Sequence, residues 1–257
     1  MVRAKKHLGQ HFLKDEGIAE RIVTALTSVD AVTPIVEIGP GTGVLTRHLM
    51  HLKQFNALDV DEESIAYLQA SYPQYAEKFH LSDFLETDLK TLTGGPFNVI
   101  GNFPYNISSQ IMFRVYEQRH QIPCVVGMFQ KEVAERLASP PGSKVYGILS
   151  VLLQAFYDIE YLFTVGEHVF DPPPKVKSGV IRLKRNATQQ LPCSEDVFKQ
   201  VVKTTFNQRR KTIRNSIKPM MNGATFTHAL LDKRPEQLNV SQFIELTVAA
   251  EKAIGTN

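Results

Sequence analysis

The sequence predicts an α/β fold: a Rossmann-like, mostly parallel sheet followed by a small all-helical C-terminal domain. Three observations carry this. Ile35-Val36-Glu37-Ile38 is a buried-type strand that passes directly into Gly39-Pro40-Gly41-Thr42-Gly43 and then into a helical stretch, Val44 to Leu52. Three later apolar runs, at 55–59, 79–81 and 97–101, lead into polar residues: Asp59 at the end of the first, Ser82-Asp83 after the second and Asn102 after the third. Beyond a polar junction at 186–193 the chain reads as helices.

Composition sets the outer bounds. A chain of 257 residues with 43% hydrophobic content can bury a good core, as one domain or one and a half. Its two cysteines, Cys124 and Cys193, form no CxxC or Cys/His pattern, which argues against a disulfide scaffold or zinc site and fits a reducing compartment. The start, Met-Val-Arg-Ala-Lys-Lys-His, is basic but no long apolar run follows, so a soluble cytoplasmic protein with no membrane span is expected. The net charge of +3 is unevenly placed. Residues 1–190 hold 19 Lys+Arg and 20 Asp+Glu, whereas 191–257 hold 10 and 6. Seven basic residues and no acidic one lie between Lys199 and Lys218. Such a block suits a polyanion, or simply a solvated helix face.

Taken in order, the first 15 residues are polar and basic, but Phe12-Leu13 inside them suggests an arm that docks back onto the body. Ile18, Ala19, Ile22, Val23 and Leu26 recur at helical spacing over 16–29. The loop after the first strand lacks the Gly-Lys-Ser/Thr end of a Walker loop, and position 46, where a dinucleotide fingerprint would have a third glycine, is Thr46. Gly39 and Gly41 then suit close approach to a small nucleoside, although a plain βα turn has the same form. The second strand ends in Asp59-Val60-Asp61. A carboxylate there accepts two hydrogen bonds from a ribose diol, so Asp59 is the ribose candidate and Asp61 the helix cap. The third strand ends in Ser82-Asp83-Phe84: Asp83 can accept from an adenine amino group and Phe84 can pack beside the ring, or Asp83 can be a cap.

The fourth strand delivers Asn102-Phe103-Pro104-Tyr105. Asn102 offers a carbonyl acceptor, Pro104 fixes φ and so aims its neighbours' carbonyls, and Tyr105 offers a flat face. That set suits a planar molecule with an exocyclic amine, such as adenine; alone it also fits an Asn-Pro turn. Helices follow at 108–119, 131–138 and 147–156, with strands at 124–128, 159–164 and 179–183. Phe170-Asp171-Pro172-Pro173-Pro174-Lys175-Val176 is an extended arm, in which Phe170 is a second candidate ring for a stacked base or a core anchor. The tail gives helices at 194–207, 210–221, 226–231 and 241–253, the last starting at Ser241. A boundary at 190 makes 1–190 the α/β domain and 191–257 the helical one.

These motifs, in this order, closely resemble the S-adenosylmethionine-dependent rRNA adenine dimethyltransferases, and among them the bacterial small-subunit (KsgA/Dim) type. The likeness runs from Lys5 to about Ala250. Gln10-His11-Phe12-Leu13, Val36 to Gly43, Asp59-Val60-Asp61, Asp83, Asn102 to Ser108, Gln130 to Leu137, Phe170-x-Pro-Pro-Pro-Lys-Val and Phe206 to Asn215 all match. Three positions depart: His11 stands for Asn, Asp59 for Glu and Phe103 for Leu. The resemblance implies a class I methyltransferase fold with a seven-stranded, mostly parallel sheet. It implies transfer of methyl groups from S-adenosylmethionine, without a metal, to two adjacent adenosines in the 3′-terminal hairpin loop of 16S rRNA. The product cofactor is S-adenosylhomocysteine, and the setting is a pre-ribosomal 30S particle acted on by a monomer. Cofactor-binding residues are then His11, Leu13, Gly39, Gly41, Asp59, Val60, Asp83, Phe84 and Asn102. Asn102 and Pro104 accept from the target amine, Tyr105 and Phe170 stack the base, and Arg209, Arg210, Lys211 and Arg214 hold RNA phosphates.

Three other readings share parts of this pattern. A large-subunit methyltransferase of the macrolide-resistance type has the same core motifs, but the blocks after residue 130 and the Arg209-Arg210-Lys211-Thr212 run favour the small-subunit type. An assembly factor without chemistry is disfavoured by the intact Asn-Phe-Pro-Tyr, glycine loop and Asp59. A DNA adenine methyltransferase would need a target-recognition insertion, and none is visible.

Overall fold

A computed structural model describes residues 2–52 and 54–255. The described chain divides into two compact units, Met1–Glu135 with Ile159–Arg185, and Arg136–Asp158 with Asn186–Asn257. The last of the three division points lies between Arg185 and Asn186. The excursion of 136–158 into the helical unit has no compositional marker and was not expected.

In the first unit, β1 (Phe12–Leu13) precedes α1 (Glu16–Thr27), which is capped by Asp15 accepting from Ile18 N at 2.9 Å. Its apolar stripe, Ala19, Ile22, Val23 and Leu26, is buried as the spacing predicts. β2 (Ile35–Ile38), α2 (Thr46–Leu49), β3 (Phe55–Asp59), α3 (Glu62–Ser71), β4 (Phe79–Leu81) and α4 (Leu89–Thr93) follow. Then come β5 (Asn98–Asn102), α5 (Ser108–Glu117), β6 (Cys124–Gln130) and α6 (Lys131–Ala138), and, after α7 (Ile148–Gln154), β7 (Tyr157–Val165), β8 (Phe170–Asp171) and β9 (Ser178–Arg185). α2 is shorter than the expected 44–52 helix, because the glycine turn continues through Gly43, whose φ is +84°.

Seven strands form one sheet in the order β4-β3-β2-β5-β6-β9-β7. β4, β3, β2, β5 and β6 are parallel and β9 runs antiparallel to β6. The buried strands read as continuous apolar runs, as strands covered on both faces must. One core cluster joins α1 and α3 to the sheet through Ile22, Leu26, Leu68, Val126 and Met128. β1 and β8 pair as a separate antiparallel ladder, Phe12 opposite Asp171 and Leu13 opposite Phe170. The arm therefore docks, with Leu13 3% exposed.

The second unit is built on α7, α8 (Glu195–Asn207) and α10 (Val240–Gly255), with α9 (Ile213–Ser216) between. Phe206 of α8 lies 6.0 Å from the Tyr146 ring and stacks on Phe243 of α10 at 5.8 Å. Two expected helices differ. The 210–221 stretch forms only the four-residue α9 and a 3-10 turn holding Pro219, which has no N–H to continue a helix. The 226–231 stretch is a 3-10 turn at Ala229–Asp232. Asn239, and not Ser241, starts α10: its side chain accepts from Gln242 N at 2.8 Å while the Gln242 side chain accepts from Asn239 N at 3.1 Å. No described helix is long and apolar enough to cross a membrane.

Candidate active site

The strand order reverses between β2 and β5, so the loops after them leave in opposite directions and open a crevice at their C-terminal ends. A cavity of about 170 Å³ lies there. Four consecutive strand ends line it: Gly39 and Gly41 after β2, Asp59 and Val60 at β3, Asp83 after β4, and Asn102 to Tyr105 at β5. The arm closes it with Leu8 to Phe12.

Each wall has a local cause. Gly41 has φ +54°, and a Cβ there would lie 2.8 Å from the Phe12 ring. The position therefore needs glycine twice over, for its backbone and for the arm packed on it. Asp59, 8% exposed, accepts from Asp61 N at 3.0 Å and from Gly41 N at 3.4 Å. Burial, with the Asp61 charge adding, pushes its carboxyl up to about 6. Asp61 caps α3 through Glu63 N and takes Ser64 Oγ at 2.9 Å. It also holds the arm, accepting Gln10 Nε2 at 3.0 Å and pairing with Lys5. These donors keep its carboxyl below the usual range despite burial.

Asp83 closes a turn by accepting Leu85 N at 2.7 Å. Arg114 locks the same turn by donating to the carbonyls of Leu85 and Thr87. Beneath the glycine loop, Glu37 is 1% exposed and its Oε2 has no hydrogen-bond partner. It faces a second, smaller cavity shared with Leu13, Gly39 and Asn102. Burial, with the Asp59 charge adding, pushes the Glu37 carboxyl up to about 8.

At the fourth strand end, Asn102 Nδ2 donates to His11 O at 2.8 Å. That bond assigns the amide orientation and leaves Oδ1 as the acceptor end. Pro104 O accepts from Ile107 N at a long 3.3 Å, leaving its second lone pair. Tyr105 shares a 2.6 Å hydrogen bond with Ser178 Oγ, and its ring lies 5.4 Å from that of His11. Burial raises the Tyr105 hydroxyl above its ordinary value.

The structure thus gathers His11, Gly39, Gly41, Asp59, Val60, Asp83, Asn102, Pro104 and Tyr105 around one cavity. Three expected residues turn elsewhere. Leu13 lies in the core and touches only the smaller cavity. Phe84 is 3% exposed beneath Arg114, so its ring holds the turn and does not line the cavity. Phe170 is 1% exposed and packed in the core opposite Leu13; here it is the core anchor, not a presented ring. His11 Nδ1 lies 2.8 Å from Pro172 O, so its ring tethers the arm to the proline segment. Sequence reasoning assigns no individual site role to Gln10, Phe12, Leu85 or Glu37, although the first two and the last lie in motifs that match. The unpaired acid inside an apolar strand was the one readable signal.

In the helical unit, Arg209 donates to Ser143 O at 3.0 Å and faces Glu236, and Arg214 pairs with Asp232 through two bonds of 2.9 and 3.1 Å. Arg210 and Lys211 are exposed on the turn after α8. No group of three or more His, Cys, Asp or Glu is gathered as for a metal among the described residues.

A family model described as "Ribosomal RNA adenine dimethylase" matches residues 1–249. The chain is 56% identical over 255 residues to "Ribosomal RNA small subunit methyltransferase A" of Parabacteroides distasonis, covering 98% of this chain and 96% of that one. It is 56% identical over 249 residues to the protein of the same name from Cytophaga hutchinsonii, covering 96% of each. A dimethyladenosine transferase from Plasmodium falciparum superposes with a TM-score of 0.78 at 24% identity, covering 95% of this chain and 98% of that one. The 23S rRNA methyltransferase ErmE superposes at 0.67, also at 24% identity, covering 91% and 98%. At that identity the two structures speak to the fold.

Proposed function

The chain belongs to the ribosomal RNA adenine dimethylase family, and from that premise we propose that it dimethylates the exocyclic amines of two adjacent adenosines in the 3′-terminal hairpin loop of small-subunit rRNA. It is an S-adenosylmethionine-dependent rRNA adenine dimethyltransferase. It acts in the cytoplasm, as a monomer, on a pre-ribosomal 30S particle. The single observation that carries the reading is the convergence of four strand ends on one cavity.

The residues present fit the cofactor. Asp59 offers carboxylate oxygens for a diol, Gly39 and Gly41 leave backbone room, and the unpartnered Glu37 Oε2 suits the cationic end of an amino acid. When bound, S-adenosylmethionine supplies an electrophilic methyl group on a sulfonium. The chain's own task is the poor nucleophile, an adenine nitrogen whose lone pair is delocalised into the ring. Asn102 Oδ1 and Pro104 O accept from that NH2 and draw it toward tetrahedral geometry, which aims the lone pair. Tyr105 provides the stacking face for the extruded base, a contact of about 1–3 kcal/mol. Positioning does most of the work, since the nitrogen becomes acidic once alkylated and needs no strong base. One N–H remains after the first transfer and donates to one of the two acceptors, so a second cycle proceeds where the pocket admits the first methyl group.

Incubating under-methylated small subunits with labelled S-adenosylmethionine, then mapping the label by nuclease digestion and mass spectrometry, tests substrate and product together. Dimethyladenosine in the 3′-terminal hairpin is expected. Label on large subunits, or at another site, overturns the assignment. Asn102→Ala should still bind the particle but transfer no label; full incorporation by that variant would sink the role given to Asn102.

A further inference from the structure

Asn102 and Pro104 must be held within a fraction of an ångström, yet Asn102 makes one side-chain bond and Pro104 sits in a loop. The residue between them supplies the missing constraint. Phe103 is 1% exposed, on the sheet face opposite Asn102. Its backbone N donates to Met128 O at 3.1 Å, which carries the β5–β6 ladder one residue further. Its ring meets Phe129 edge-on at 4.9 Å with an interplanar angle of 73°.

Two glycines make the space for that ring. Gly101 and Gly127 face each other in the parallel pairing of β5 and β6, so their missing side chains share the face on which Phe103 lies. A Cβ on Gly101 would come within 2.7 Å of Phe103 Cε1 and 2.5 Å of Ile38 O. A Cβ on Gly127 would come within 2.3 Å of Phe103 Cε2 and 2.9 Å of Cε2 of Phe129, the ring that Phe103 packs against. No side chain fits at either position while the ring stays where it is. Both glycines have φ outside the left-handed region, so close approach is what demands them.

We propose that the Gly101/Gly127 slot is a positioning device: it seats the Phe103 ring and thereby fixes the directions of Asn102 Oδ1 and Pro104 O toward the target amine. Gly127 reaches the reaction only through Phe103; it does not line the cavity. The proposal rests on the reading of Asn102 and Pro104 as acceptors for that amine. It makes 103 and 127 a matched pair: a ring at 103 requires no side chain at 127, and a smaller apolar residue at 103 both vacates the closest contact and leaves the Phe129 ring room to move off a methyl group there.

The test compares wild type, Gly127→Ala, and the double variant Phe103→Leu with Gly127→Ala. Each is assayed for kcat and KM on under-methylated small subunits, for S-adenosylhomocysteine affinity by calorimetry, and for thermal unfolding. Gly127→Ala should lower kcat by about 10- to 100-fold, the scale of an ångström-sized misplacement, with ligand affinity within about threefold of wild type. The double variant should recover most of the lost kcat. If Gly127→Ala retains wild-type kcat, or loses affinity in step with kcat, the slot has no positioning role. Should Gly127→Ala not fold, the double variant decides: folded and active supports the matched pair, unfolded or inactive overturns it. Absence of methyl transfer by the wild-type protein would instead count against the function assigned above.

Discussion

Glu37 sits 1% exposed with one carboxyl oxygen unpartnered, and its carboxyl is pushed up to about 8. The sign of the linkage is fixed by that direction. Below about pH 4.5 the group is protonated in both folded and unfolded chains. As pH rises toward 8, the unfolded chain ionises while the folded one resists, so stability is progressively lost. Glu37→Gln removes this dependence. Denaturant unfolding should show the variant gaining on wild type by on the order of a few kcal/mol between pH 5 and pH 8. A difference that stays constant over that window contradicts the assignment. Tyr105 separates ring from hydroxyl. Tyr105→Phe loses only the bond to Ser178 and should stay within about tenfold of wild-type kcat/KM, whereas Tyr105→Ala loses the stacking face and should fall by about 10- to 100-fold. Equal losses in the two variants would assign the effect to the hydroxyl. At this scale, polar residues at strand ends were legible because a buried strand has no other reason to stop on them. Phe170 was not, since its burial depends on Leu13, a partner far away in sequence.

The arm before α1 behaves as an element, although it contains only a two-residue strand. It is fastened at Asp61 by Lys5 and Gln10, at Asn102 through His11 O, at Asn106 through His7 O and at Pro172 through the His11 ring. The first fastening lies two residues from Asp59, so arm order and cofactor affinity should be coupled. Asp61→Asn keeps the cap geometry but weakens the charged pair. Hydrogen exchange at 5–13 should rise, and S-adenosylhomocysteine affinity should fall by about tenfold. Faster exchange with unchanged affinity would uncouple arm from pocket. Through β9 the sheet strands other than the short β1 and β8, and the helices other than α4 and the bounds of α2, were legible because apolar runs and their terminal breakers are local signals. The pattern was less legible after α8, where Gln208 to Thr212 form a turn and Pro219 limits the next helix, so the five basic residues from Arg209 to Lys218 look helical on spacing alone.

For the whole molecule, RNA affinity should follow the free cations and not the count of basic residues. Arg209 and Arg214 already hold Ser143 O, Glu236 and Asp232, whereas Arg210 and Lys211 are exposed. Replacing Arg210 and Lys211 together with Ala should weaken particle binding and lower the slope of log affinity against log salt by about 1.5–2. An unchanged slope removes those two residues from the interface. The division into a sheet-bearing and a helical part was readable from charge and periodicity. The threading of 136–158 into the second part was not, because it is a fact of packing. That threading also sets an order of events during synthesis. β6 is complete at Gln130, but its neighbour β9 begins only at Ser178, and the arm's partner β8 only at Phe170. A nascent chain released at residue 135 would carry the cavity-lining strand ends with β6, paired to β5 on one side only, as an open apolar sheet edge and with the arm undocked. Because the helical segment 136–158 emerges before β7, β8 and β9, the seven-stranded sheet can be complete and the arm docked only once the chain has been made as far as Arg185.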